Sequence, residues 1–117
     1  GTFVAAVLRE SGIPVAKHWY RARDWLNWGN ALAEPIPGCI VVYERTGGGH
    51  VGFVVGRDIL GRIATLGGNQ GNRVSIAPFD AVRVLGYRWP ENRFAEQIAA
   101  GKLPLVSSNG QSSTGEA

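Results

Sequence analysis

Methionine is absent from the 117 residues, cysteine occurs once, and histidine occurs only twice. A lone Cys39 excludes an internal disulfide framework and any multi-cysteine zinc site. His18 and His50 fall on separate predicted elements with no HxxxH-type spacing, so neither a metal centre nor a cofactor is expected. No apolar run approaches the length of a membrane span, and no signal-peptide pattern is visible. A chain that opens Gly1-Thr2-Phe3 without methionine is expected to be processed, or to be an internal segment of something longer. The compartment therefore cannot be read from its N-terminus.

What is present describes one globular domain. Hydrophobic residues make up 44%, which suits a packed core, and 17 glycines predict tight turns and close backbone approaches. Twelve basic residues against nine acidic ones leave a charge of +3, a mild bias toward polyanions such as wall polymers. The basic residues are scattered rather than clustered, so a nucleic-acid partner is not expected.

Apolar positions Phe3, Val4, Val7 and Leu8 have helical spacing, with Thr2 as N-cap and Gly12 and Pro14 as the stop. A second helix is predicted over His18 to Trp28, with Trp25 and Trp28 in the core rather than forming a sugar-stacking platform. Pro35, Pro37 and Gly38 then lead into a buried β-branched strand, Cys39-Ile40-Val41-Val42-Tyr43. Gly47-Gly48-Gly49 reads as a flexible joint. Further strands are expected at Arg73 to Ala77, where Pro78 interrupts, and at Val82 to Tyr87. The fold class is thus α+β, with two N-terminal helices on a small antiparallel sheet of about five strands. Residues 1–90 form the domain. Residues 91–117 form a C-terminal extension, with a brief helix over Glu91 to Ala100 and a linker-like tail after Val106.

The chemistry is concentrated in one hairpin. Gly48 to Gly56 is answered by Ile63 to Gln70, joined through Asp58-Ile59-Leu60-Gly61, a type I turn sequence. A three-residue loop with Gly61 as a bulge pairs Asp58 with Arg62 and sets His50 opposite Gln70. A two-residue loop sets His50 opposite Asn69. Both place an amide beside an imidazole. A cysteine hydrolase needs that pair, since the imidazole takes the thiol proton and an amide carbonyl fixes its tautomer. Gly52, Gly67 and Gly68 leave room there for a helix or a substrate backbone. The plain alternative makes His50 a solvated rim residue and Asn69-Gln70-Gly71-Asn72 a polar turn.

Taken together, the helix start Gly1-Thr2-Phe3-Val4, then Pro37-Gly38-Cys39-Ile40-Val41-Val42, Gly49-His50-Val51-Gly52-Phe53 and Gly67-Gly68-Asn69-Gln70 resemble the CHAP/NlpC-type papain-like cysteine hydrolases. The resemblance runs over about residues 1–90 and looks closest to phage and prophage cell-wall enzymes. It implies a peptidoglycan amidase or endopeptidase, with His50 as general base and Asn69, in preference to Gln70, as the orienting residue. Related modules often carry a carboxylate two positions before that asparagine, where this chain has Gly67. The nucleophilic cysteine of such enzymes opens the first helix and would fall immediately before Gly1. Cys39 stands where relatives usually have an aspartate, and its strand reads as core.

The implied partners are bacterial peptidoglycan and other phage tail or virion proteins. The implied location is a virion tail, or a secreted or periplasmic setting. The competing expectations are a catalytically inactive wall-binding or structural tail component and, with less support, a bacterial SH3-type binding module.

Overall fold

The computed structural model describes residues 2–68 and 73–107. Helix α1 spans Thr2–Glu10 and buries Val4, Ala5 and Leu8. It ends as its sequence predicts: Gly12 adopts a φ of +74°, and the Ile13 amide closes on the Leu8 carbonyl at 2.8 Å.

The predicted second helix is only a six-residue 3-10 helix, Ala22–Asn27. Side chains of this segment bond the backbone of the residues that precede it. The Asp24 carboxylate accepts the His18 amide at 2.9 Å, and the Trp25 indole donates to the Trp19 carbonyl at 3.1 Å. Trp28 donates to the Pro14 carbonyl at 2.9 Å, and the Trp25 and Trp28 rings meet edge to face at 5.2 Å. Trp25 is fully buried, as a core tryptophan should be.

Six strands rather than about five are found among the described residues: β1 Asn30–Leu32, β2 Ile40–Arg45, β3 Gly48–Arg57, β4 Ile63–Gly68, β5 Val74–Phe79 and β6 Val84–Trp89. They form one antiparallel sheet in the order β1-β6-β2-β3-β4-β5. Strand β1 escaped notice because it is three residues long and largely exposed. The predicted last strand begins two residues later than expected, after a short 3-10 turn at Ala81–Arg83.

Two further expectations are corrected. The glycine run is no loose joint: β3 already starts at Gly48, paired with Arg45, and Gly47 supplies the turn with a φ of +85°. Pro78 does not break its strand but pairs with Ala64. Strand β5 is at the sheet edge, where proline's missing N–H leaves no ladder bond unmade.

The sheet carries a core on each face. Ile40, Val42 and Val51 pack with Val4, Ala5, Leu8 and Trp25 under α1. Cys39, Val41, Tyr43, Val54, Ile63 and Phe79 make the other core, with Ala100 and Leu103 packed against it. Helix α2, Phe94–Ala100, lies within its predicted range. Beyond it, Pro104 and Val106 bond to Arg57 at 2.9 and 2.8 Å, which ties this segment to the end of β3.

Candidate active site

The β3–β4 hairpin has the three-residue loop. The Asp58 amide donates to the Arg62 carbonyl at 3.0 Å, Gly61 donates to the Asp58 carbonyl at 3.0 Å, and Gly61 has a φ of +78°. The Asp58 carboxylate secures the turn by accepting from the Leu60 and Arg62 amides at 3.0 and 2.9 Å and from Arg62 Nε at 2.8 Å. Burial works against ionisation there, but the bonds from Arg62 and Leu60 outweigh it and hold the carboxyl below its ordinary pKa. From this turn Arg57 pairs with Ile63 and Gly56 with Ala64, but the register then shifts, and Val54 pairs with Thr65 and Phe53 with Leu66. This bulge, with Val55 beside Gly56 as the extra residue, changes the count along the strand beyond it.

Glycine 56 is where the C-terminal segment crosses: a β-carbon there would run into the Pro104 carbonyl and the Val106 side chain. Gly52 serves the hairpin itself. A β-carbon on it would lie 2.6 Å from the Thr65 methyl and 2.8 Å from the Leu66 carbonyl oxygen.

His50 enters two residues into β3, directly across from Tyr43 of β2. Strand alternation turns it away from Val51 and Phe53, which face α1, and onto the opposite face with Tyr43. There its ring lies parallel to Phe79, with centroids 5.3 Å apart and planes 15° apart. Phe79 also stacks on Tyr43 at 4.0 Å. Strand β5 is three strands from β2, about 14 Å away in a flat sheet, so this contact requires a strongly coiled sheet. Tyr43 and Thr65 complete the floor with a 2.6 Å hydroxyl–hydroxyl bond.

The Nε2–Cε1 edge of the imidazole fills the space beside Gly67 that a side chain would take. A β-carbon on Gly67 would stand 3.1 Å from Nε2 and 3.4 Å from Cε1. On the next residue and the other face, a β-carbon on Gly68 would stand 3.1 Å from the β-carbon of Phe3. Phe3 meets Phe53 edge to face at 6.0 Å, which fixes the first turn of α1 on this part of the sheet. Imidazole and helix start therefore flank the same two-glycine step, from opposite faces of β4. Of the expected site residues the structure describes His50. Asn69 and Gln70 lie outside the described residues.

Electrostatics at His50 favour the neutral ring. Burial, followed by the positive charges of Arg45 and Arg83, pushes its pKa from 6.5 down to about 4. Arg83 lies with its guanidinium carbon 5.6 Å from the Phe79 centroid, and its Nε donates to the Glu44 carbonyl at 3.1 Å. Cys39 differs from a nucleophile in every respect. It is fully buried, and burial raises its thiol to about 11. Among the described residues no group of three His, Cys, Asp or Glu side chains could hold a metal ion, and no helix is long and apolar enough to cross a membrane.

Tyr43, Phe79, Arg45 and Arg83 were missed as neighbours of His50. Tyr43 could have been found by counting outward from the Thr46-Gly47 turn. The same count finds Arg45. Arg83 depends on the long-range β2–β6 pairing and Phe79 on the coil of the sheet, for which no local residue pattern exists.

The family model of the CHAP domain matches residues 1–69. The match covers more than half of the chain, and this protein belongs to the CHAP family. That membership carries the general expectation of peptidoglycan hydrolase activity. No curated protein and no solved structure matches the chain.

Proposed function

We propose that this domain is a papain-like, NlpC-type peptidoglycan amidase or endopeptidase of the kind used by phages and prophages, working by a Cys-His-Asn mechanism. The observation that carries the proposal is the approach of the His50 imidazole and the first turn of α1 to adjacent glycines, Gly67 and Gly68, of one strand. A cysteine immediately before Gly1 would open α1, where helix amides favour a thiolate. Its proton passes to His50 as sulfur attacks the scissile carbonyl, and the imidazolium then protonates the leaving amine. Water, deprotonated by His50, cleaves the thioester and restores the thiol. Nε2 faces the β4 side, which leaves Nδ1 for the thiol. Asn69 is the preferred orienter: the bulge moves the count along β4 by one residue, which favours position 69 over position 70.

The test is wall lysis by a chain carrying its native upstream residues. Lysis that disappears in His50→Ala and Asn69→Ala supports the mechanism, and full activity of His50→Ala ends it. Wall binding without any loss of turbidity would instead identify an inactive binding or tail component, a reading favoured by the glycine at position 67, where relatives often have a carboxylate.

A further inference from the structure

Arg45 and Arg83 both approach the face of the sheet that carries the imidazole. Arg45 ends β2, two residues beyond Tyr43 and so on the same sheet face as Tyr43 and His50. Arg83 reaches in from the turn before β6, over the Phe79 ring that stacks on His50. Val84, next to Arg83, pairs with Tyr43, two residues from Arg45, so the two arginines neighbour one another at the β2–β6 seam, and both charges act on His50. The neighbouring carboxylate, Glu44, alternates to the other face and is engaged by Arg23 at 2.8 Å. Among the described residues Arg45 makes no ion pair. Like charges held this close repel one another, and an anion placed between them removes that cost.

We propose that Arg45 and Arg83 form a carboxylate-binding subsite that holds a free carboxylate of the wall stem peptide next to the scissile amide. This rests on the hydrolase reading above. The peptide is the natural source of the anion because its free carboxylates lie only a few bonds from the amides that His50 would serve. Planar guanidinium groups also match a carboxylate's geometry with paired N–H donors. Arg83 is already steadied by the Glu44 carbonyl and Phe79, so one side of the subsite is preorganised. Arg45 supplies the second side.

The experiment measures binding of a soluble stem peptide with free carboxylates and of the same peptide with those groups converted to carboxamides. The free acid is expected to bind roughly tenfold or more tightly than the amide form. Arg45→Gln should abolish the preference while leaving the melting temperature nearly unchanged, and Arg45→Lys should keep part of it. Equal affinity for both peptides, or an undiminished preference in Arg45→Gln, overturns the subsite and leaves the hydrolase reading intact. Binding of neither peptide overturns both. Binding of inorganic phosphate that the free-acid peptide cannot displace assigns the arginines to a phosphate polymer and also overturns the subsite.

Discussion

His50 Nε2 stands 3.1 Å from the point that a β-carbon on Gly67 would occupy. The space where a side chain would meet the imidazole is therefore left empty by glycine, and the ring is stacked on Phe79 instead. Gly67→Ala would push a methyl group against the ring. Activity of the nucleophile-bearing chain should fall at least tenfold while the fold survives, as read by lysis rate and circular dichroism. Wild-type lysis in Gly67→Ala would show that the ring position is not critical.

Gly67→Glu makes the complementary change. A carboxylate beside the imidazole stabilises its protonated form, so the His50 pKa should climb from about 4 by roughly 1–3 pH units. NMR titration of the ring protons measures this directly. An unmoved titration would mean that the glutamate points elsewhere.

The depressed pKa also links stability to pH. The unfolded chain binds a proton at His50 near pH 6.5, and the folded chain does so only near 4. The contribution is thus complete above about pH 6.5, declines as pH falls, and is gone below about 4; it amounts to at most about 3 kcal/mol. Asp58, held below its ordinary 3.8, adds its own loss only at lower pH. Thermal melts between pH 7 and 4 should therefore flatten in His50→Gln relative to the unmodified protein.

Cys39 should be inert. Its buried thiol, pushed up to about 11, should resist a disulfide reagent at pH 8 in the native protein and react after denaturation. Cys39→Ala should retain lysis in the extended chain. Rapid native modification coupled to loss of activity would reverse the assignment of roles.

Close strand contact at Gly52 should be sensitive to a single methyl. Gly52→Ala would press on Thr65 and on the Leu66 carbonyl, a cost of about 1–3 kcal/mol by overpacking. Chemical denaturation measures it, and an unchanged midpoint would contradict the packing.

Much of this architecture could be read from local residue patterns. The α1 boundaries, the buried β2 strand, the Asp58 turn and the position of His50 at the start of a strand each depend on spacing, capping or turn chemistry within a few residues. The second helix failed because Asp24, Trp25 and Trp28 satisfy backbone groups outside any helix, a tertiary effect that periodicity does not register. The sequence left two hairpin counts open; the structure has the three-residue loop, and a single bulge then adds a residue to β3. Gly56 was the available sign, since an isolated strand glycine often marks a bulge. The ring beneath His50 was beyond reach. Phe79 arrives from the far edge through the coil of the whole sheet.

The pairing of Leu105 with Arg57 has a consequence for molecular layout. His50 and Arg57 lie seven residues apart on one strand, a span of roughly 23 Å. Val106 is thus tied to the end of β3 farthest from His50, and a pull on this segment would be felt at the Asp58 turn before it reached the imidazole.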